Sequence, residues 1–112
     1  MNILFTPPSD QKILSGQKTM TARCWKRKPP RIGQVIDAQT GYANSTRFAQ
    51  LKVIDVWEWD GDINSECLTD EIARKEGFVD VDDFIFAYYS LNSRTIADND
   101  RRHWFIEFEL IV

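Results

Sequence analysis

The order of predicted elements assigns this chain to the α+β class, as a small, mostly antiparallel β-barrel with about three short helices packed over its openings. Strand-like segments dominate the sequence, two helical segments lie together between residues 69 and 91, and there is no β-α-β repeat. The chain has 112 residues, of which 43% are apolar. This length suits one core, so we predict a single domain over residues 1–112.

The first third of the chain alternates short strands with turns. Residues 2–5 form the first predicted strand, and Pro7-Pro8-Ser9-Asp10 ends it and starts a helix of about two turns, with Ser9 or Asp10 as the N-cap. The helix is expected to end near Gly16. The segments that follow are a strand over 17–25, a loop over 26–33, a short strand over 35–38 and a turn over 41–45.

Residues 47–59 give the longest strand signal, and it is apolar on both faces. Leu51 and Val53 share one parity, whereas Ile54 and Val56 occupy the other. Such a strand predicts a closed or strongly curved sheet covered by helices, or a bulge that changes the face midway. The turn Asp60-Gly61-Asp62 ends it.

Two helices and a final strand complete the chain. Thr69 or Asp70 caps the first helix, Gly77 is its C′ residue, and Asp80 caps the second helix. The second helix has an apolar stripe that we expect to face the core, formed by Phe84, Ala87, Tyr88 and Leu91. A polar loop over 92–102 leads to a half-buried strand over 104–110.

Composition narrows the class of protein. There is no run of ~20 apolar residues and no signal-peptide pattern, so we expect a cytoplasmic protein with no membrane partner. Cys24 and Cys67 do not form a CxxC pair, and we expect buried thiols rather than a disulfide. His103 is the single histidine. Without paired metal-ligand spacings or the zinc-deaminase pattern, we expect no metal ion and no cofactor.

The net charge of −3 is unevenly distributed. Residues 1–60 hold nine Lys/Arg and five Asp/Glu, whereas residues 61–112 hold five and twelve. The densest basic patch contains Trp25, and its cations are Arg23, Lys26, Arg27, Lys28 and Arg31. A basic cluster with an aromatic residue can hold phosphates and stack a base, whereas a solvated turn before Pro29-Pro30 is the structural alternative.

One segment carries an unusual density of polar side chains for a strand. After Ser15-Gly16, two cations and two hydroxyls lie within six positions: Lys18, Thr19, Thr21 and Arg23. A strand built only for packing would have apolar residues there. An edge strand with a polar outer face and a functional site both account for this pattern.

Lys18 and Thr21 are residue types that suit acyl transfer. A threonine hydroxyl is a weak nucleophile and needs a base, and lysine serves as that base when burial or a nearby cation lowers its pKa. Arg23 is a candidate for that cation or for an oxyanion donor. On an ideal strand Lys18 and Thr21 point to opposite faces, so Lys18 is expected to precede the regular strand or to be turned by a bulge.

Glu76 occupies a position that electrostatics disfavours for a carboxylate. It lies beside Gly77 in the last turn of a predicted helix, at the negative end of the helix dipole. A carboxylate kept there can have a raised pKa and exchange a proton near neutral pH. Exposure, or an ion pair with a cation such as Lys75 or Arg74, is the structural alternative.

The spacing Ile-Leu-x-Gly-x-Lys-Thr-x-Thr-x-Arg over residues 13–23 resembles the signature of the ASCH domain family, small proteins related in fold to PUA RNA-binding domains. Residues 72–78 look like the family's second motif, and residues 104–108 extend the resemblance to the closing strand. Within the family, the sequence is similar to small bacterial amidohydrolases that remove acyl groups from N4-acetylcytidine. The resemblance implies the same PUA-like barrel.

For the site, the resemblance implies Lys18, Thr21 and Glu76 as catalytic residues. Thr19, Arg23 and Trp25 are the predicted substrate-binding residues. The predicted function is metal-independent hydrolysis of an N4-acylated cytosine derivative, with a modified nucleoside as partner and the monomer as the favoured state. The alternatives are an RNA-binding module that uses the basic patch, or a ribonuclease, for which the lone His103 excludes a paired-histidine mechanism.

Overall fold

The α+β prediction is confirmed by a five-stranded sheet with three helices. A computed structural model of the chain describes residues 1–41, 46–98 and 100–111. The strands are Asn2–Leu4 (β1), Met20–Trp25 (β2), Val35–Thr40 (β3), Thr46–Trp59 (β4) and Arg102–Ile111 (β5). The helices are Ser9–Leu14 (α1), Asp70–Lys75 (α2) and Val81–Leu91 (α3).

The sheet curls into a half-barrel whose strand order is β1-β3-β4-β5-β2. β1 and β3 run parallel, and the other three pairings are antiparallel. The mostly antiparallel architecture is therefore confirmed. β1 and β2 form the two edges, so the predicted barrel is open along the seam between these strands.

A bulge in β4 explains why this strand is apolar on both faces. The register against β5 shifts between Val53 and Asp55. Leu51 and Val53 lie in the core within the curled sheet, while Trp59, beyond the bulge, packs on the opposite face under the helices. The change of face that the sequence predicted is thus produced by the bulge.

Each face of the sheet carries a hydrophobic core, and β5 contributes to both. Ile106 and Phe108 belong to the core inside the half-barrel, whereas Phe105 belongs to the core beneath α2 and α3. Phe105 and Ile106 are both fully buried. The prediction of a half-buried strand was therefore wrong for the middle of β5, because the helices cover the face that was expected to meet solvent.

The helix caps follow the sequence at α2 and α3 but not at α1. The Thr69 side chain accepts a hydrogen bond from Ile72 N, and the Asp80 side chain accepts one from Asp83 N. At α1 the N-cap is Pro8, and no side chain caps the helix. The prediction of Ser9 or Asp10 was wrong because the helix begins directly after the prolines, which places both residues in its first turn.

The remaining predicted segments agree with the structure in part. Phe84 and Tyr88 of the α3 stripe are buried, whereas Leu91 is 77% exposed because the stripe does not stay against the core in the last turn. In the turn over 41–45, residues 42–45 lie outside the described residues. The predicted loop over 92–102 is a series of turns up to residue 97, and β5 begins at its last residue.

The described part of the chain contains no helix long and apolar enough to cross a membrane. Both cysteines are free thiols. Cys24 is buried as expected, but Cys67 is only partly buried.

Candidate active site

The C-terminal end of α2 packs against the segment that leads into β2. Thr19 N donates a hydrogen bond to Lys75 O at 2.8 Å. Gly77 has a φ of +90°, a conformation that favours glycine. A Cβ at Gly77 would lie 3.3 Å from Lys18 Cβ and 3.1 Å from Lys12 Cδ. The glycine therefore both ends the helix and allows Lys18 to approach its last turn.

Lys18 and Glu76 form a buried ion pair at this junction. Lys18 Nζ donates to Glu76 Oε2 at 2.8 Å and to the Glu76 backbone oxygen at 2.9 Å. Lys18 is 6% exposed and Glu76 is 3% exposed. The carboxylate is therefore not exposed, and it pairs with a cation, as the structural alternative allowed, but that cation is Lys18 rather than Arg74 or Lys75. Lysine also supplies the cation that the end of a helix favours.

Burial shifts the pKa values of the pair in opposite directions. Loss of solvent raises the pKa of the Glu76 carboxyl, and the Lys18 ammonium opposes that shift. Burial likewise lowers the pKa of Lys18 against the attraction of Glu76. Each group therefore gives up its charge more readily than it would in water. Glu76 Oε1 is buried and makes no hydrogen bond of ordinary geometry among the described residues, while the nearby Ala22 backbone N–H lowers the pKa of the carboxyl against the effect of burial.

Thr21 and Arg23 lie on β2 beside this pair. Arg23 Nε donates to Thr21 Oγ1 at 3.1 Å, and Thr21 is 3% exposed. The Arg23 guanidinium also lies over the Phe5 ring, 4.8 Å from its centroid. Because the Thr21 oxygen accepts from Arg23, its own O–H is directed away from the arginine and can donate to another group.

The parity difficulty at Lys18 is resolved by where the strand begins. Lys18 precedes β2, which starts at Met20, so its side chain does not follow the alternation of the strand. Both bonds recorded for Lys18 Nζ go to Glu76, and among the described residues none joins it to the Thr21 hydroxyl.

Lys18, Thr21, Arg23 and Glu76 line a cleft of about 680 Å³, which is within the usual range for small-molecule sites. The cleft lies at the open seam of the half-barrel, because residues of both edge strands contribute to it. Aromatic side chains supply much of its wall: Phe5, Trp25, Phe78, Phe84 and Tyr88.

The predicted substrate-binding residues are not all brought to this cleft. Trp25 and Arg23 line it, whereas Thr19 lines a separate depression with residues of β5. The Thr19 backbone bonds to Lys75 and to Phe108, which fixes the entry to β2. Of the basic patch, Arg27 also lines the cleft, and its guanidinium lies 4.1 Å from the centroid of the Trp25 ring.

Tyr88 is a residue of the cleft that was predicted only as part of the apolar stripe of α3. It lines the cleft, and its Oη lies 2.6 Å from His103 Nδ1. Burial lowers the pKa of His103. A buried tyrosine hydroxyl needs a partner, and the single histidine is a signal that could have suggested this pairing.

No group of three or more His, Cys, Asp or Glu side chains suited to a metal ion occurs in residues 1–41, 46–98 and 100–111. Lys18, Arg23, Thr21 and Glu76 bring an ammonium, a guanidinium, a hydroxyl and a carboxylate together in the wall of the cleft. This set suits proton transfer and hydrogen bonding to a carbonyl.

Comparison with known proteins identifies the fold through structure rather than sequence. No family model matches the sequence, and no curated protein matches it. An ASCH domain from Lactobacillus crispatus JV V101 has a TM-score of 0.70 at 14% identity, covering 90% of this chain and 69% of the other. The hypothetical protein PH0355 has a TM-score of 0.67 at 15% identity, covering 98% and 97%.

Protein EF3133 from Enterococcus faecalis V583 has a TM-score of 0.63 at 18% identity, covering 91% of this chain and 69% of the other. At these identities the likeness concerns the fold. Together with the sequence pattern over residues 13–23, it identifies the chain as one with the fold of an ASCH domain.

Proposed function

We propose that this protein is a metal-independent amidohydrolase that removes the acyl group from N4-acetylcytidine or a related N4-acylated cytosine derivative. The observation that carries the proposal is the buried Lys18–Glu76 pair, 2.8 Å apart, in the wall of a cleft that also contains Thr21 and Arg23. Buried acid–base pairs with shifted pKa values are concentrated at catalytic sites. The aromatic wall supplies a surface on which a cytosine ring can stack.

Hydrolysis of the exocyclic amide requires one proton to move from water to the departing nitrogen. Glu76 takes a proton from water as the water oxygen attacks the acyl carbon. It then returns that proton to N4 as the C–N bond breaks, which gives cytidine and a carboxylic acid. Because Lys18 bonds to Oε2, the Oε1 atom of Glu76 is the acceptor suited to this step.

The other groups support the charge that develops on the carbonyl oxygen. Thr21 donates its hydroxyl hydrogen to the oxyanion, and Arg23 orients that hydroxyl through the 3.1 Å hydrogen bond. The Lys18 ammonium holds Glu76 in place and adds positive charge. The bonds of Lys18 to Glu76 favour attack by water over the version in which Lys18 activates Thr21 as a nucleophile.

The proposal is tested by incubating the purified protein with N4-acetylcytidine in the presence of a chelator and following cytidine formation by absorbance. We expect turnover, and we expect Lys18→Ala and Glu76→Gln each to reduce kcat/KM by about 10²–10⁴-fold, the usual contribution of general acid–base catalysis. Absence of turnover in the folded wild-type protein would remove the amidohydrolase assignment.

A matched control lies one residue away. Lys75 and Glu107 form an ion pair of the same residue types, with Nζ and Oε2 3.1 Å apart, and neither residue lines the cleft. Lys75→Met and Glu107→Gln should retain wild-type turnover. Equal losses in both pairs would indicate damage to the packing of α2 rather than removal of catalytic groups.

The second candidate function is an RNA-binding module, which is favoured by the exposed basic side chains next to the cleft. Lys26, Arg27 and Lys28 are all exposed. RNA binding without reaction would require these residues and would weaken steeply with salt. Neutralising the three cations should abolish such binding, whereas hydrolysis of a neutral nucleoside should depend on Lys18 and Glu76 far more than on them.

A further inference from the structure

The charge of the cleft is opposite to the charge of the protein. The whole chain has a net charge of −3. Among the described residues that line the cleft, Lys18, Arg23 and Arg27 are cationic and Glu76 is the single carboxylate. Hydrolysis of a neutral nucleoside uses Lys18, Glu76 and Arg23 and leaves Arg27 without a role. The excess positive charge indicates a ligand that is anionic.

Arg27 has the geometry of an anion-binding group. Its guanidinium lies over Trp25, 4.1 Å from the ring centroid, so the flat face of the group is occupied. The N–H donors of a guanidinium point outward in its plane, and stacking leaves them available for a bidentate contact with a phosphate. Stacking also limits the rotamers of Arg27, which reduces the entropy lost when a ligand binds.

Three nearby cations, Lys26, Arg101 and Arg23, are already matched by acidic or polar groups. Lys26 Nζ lies 3.6 Å from Asp98 Oδ2, and Arg101 Nε lies 3.5 Å from the same oxygen. Arg23 donates to Thr21. No ion pair joins Arg27 to an acidic residue in the described part of the chain, so its charge is available to a ligand.

We propose that Arg27, held by Trp25, binds a phosphate attached to the ribose of the cytosine ligand, so that the site takes a nucleotide in preference to a nucleoside. This inference rests on the proposed function for the position of the base in the cleft. The phosphate could belong to a mononucleotide or to an RNA strand, and both supply the same group to Arg27.

The test uses binding rather than turnover, so that it does not depend on the reaction. The intact protein is titrated with cytidine, with cytidine 5′-monophosphate and with a four-residue oligocytidylate, and Trp fluorescence or heat is followed. We expect the monophosphate to bind about tenfold more tightly than cytidine, as a charge-assisted contact predicts. In Arg27→Met the ratio of the two affinities should fall to about one, since the charge-assisted contact is then absent.

Lys28→Met is the matched control, because it removes the same charge from the next residue, which does not line the cleft. It should keep the preference for the monophosphate. Equal affinity for cytidine and the monophosphate in the wild-type protein would overturn the proposal, as would an equal loss of preference in Lys28→Met. An equal loss in Lys28→Met would mean that the summed positive charge of the basic patch, rather than a contact with Arg27, attracts the ligand.

Salt dependence identifies the source of the phosphate. For single strands, the logarithm of the binding constant falls linearly with the logarithm of the salt concentration, with a slope of about −0.7 for each phosphate that is contacted. A steeper slope for the oligocytidylate than for the monophosphate supports a phosphate held within RNA, and equal slopes support a mononucleotide. Preference for the monophosphate without turnover of N4-acetylcytidine would keep this inference and reject the hydrolase. Turnover of N4-acetylcytidine without a preference for the monophosphate would support the hydrolase and reject this inference.

Discussion

Two lysine–glutamate pairs meet the end of α2 from different sides, and they differ in exposure far more than in distance. The Lys18–Glu76 pair is separated by 2.8 Å with side chains 7% and 2% exposed. The Lys75–Glu107 pair is separated by 3.1 Å with side chains 38% and 20% exposed. Lys75 and Glu76 are consecutive residues at the end of α2, yet they belong to different pairs. Glu76 forms a buried pair in the wall of the cleft, whereas Lys75 forms a pair at the surface.

Solvent exposure, more than the distance between the charged atoms, determines the chemical properties of each ion pair. Water screens the outer pair, which is therefore expected to contribute little to stability. The inner pair lies where each charge is costly, and this environment suits the proton transfer that we propose for Glu76. The buried pair requires Lys18 to lie close to the backbone at the end of α2, and Gly77 permits this because it has no Cβ.

The largest expected difference is in stability. Removing one partner of the buried pair, by Lys18→Met or Glu76→Gln, should lower the free energy of unfolding by about 3–5 kcal/mol, because the remaining polar group loses its partner. Lys18→Met/Glu76→Gln should recover part of that loss. The corresponding changes at Lys75 and Glu107 should cost about 0–1 kcal/mol.

Urea unfolding of the two double-mutant cycles measures both coupling energies. Similar coupling in the two cycles would mean that water reaches the inner pair, and the contrast between the pairs would then fail. A change in the urea dependence of one variant would indicate an altered unfolded state rather than a lost contact.

Thr21 and Thr19 flank Met20, and each is associated with one of the two ion pairs. Thr21 lines the cleft, whereas Thr19 N bonds to Lys75 O. Thr21→Val should reduce kcat/KM for N4-acetylcytidine by about 10²–10³-fold, as loss of an oxyanion donor does. Thr19→Val keeps the backbone bond and should have wild-type kinetics.

The size of the Thr21 effect also separates the two chemical routes. A covalent route through Thr21 requires complete loss of turnover in Thr21→Val and a trapped acyl group on the wild-type residue. Retention of full turnover in Thr21→Val would remove Thr21 from catalysis altogether and leave the water route with Glu76.

The pH dependence of stability should carry the signature of the buried pair. The raised pKa of Glu76 means that the folded chain keeps a proton that the unfolded chain releases above pH 4.5, so the free energy of unfolding falls as pH rises from there. The lowered pKa of Lys18 means that the folded chain loses its proton first, so stability rises as pH approaches 10.5.

These opposite signs predict a minimum between pH 4.5 and pH 10.5 when the stability of Lys18→Met/Glu76→Gln is subtracted from that of the wild type. Unfolding by urea between pH 4 and pH 10 would measure the difference. A difference that does not vary with pH would show that folding leaves the protonation of the pair unchanged.

Local signals in the sequence predicted most of the fold. The caps at Thr69 and Asp80 use bonds to residues three positions away, and the two-sided pattern of β4 predicted either a curved sheet or the bulge that the strand contains. The burial of β5 on both faces could not be predicted locally, because it depends on helices that pack on it from elsewhere in the chain. At α1, a pattern that suits Ser9 or Asp10 as a cap did not determine where the helix begins.

The candidate site was predicted by residue type, but its geometry was not. Lys18 and Glu76 are 58 residues apart, and nothing in either segment specifies that the one donates to the other. Tyr88 was missed because a tyrosine within an apolar stripe resembles core packing until its partner His103 is located. Thr19 was included because the strand was expected to begin earlier than Met20, which would have placed its side chain beside Thr21.

The smallest expected effect concerns salt, and it tests the outer pair directly. At about 1 M salt the Debye length is ~3 Å, so the coupling between Lys75 and Glu107 should disappear from a double-mutant cycle. The coupling between Lys18 and Glu76 should persist, because ions do not enter the space between two side chains that are almost fully buried. If high salt weakened both couplings equally, solvent exposure would not be what distinguishes the pairs, and the catalytic assignment of the inner pair would lose its physical basis.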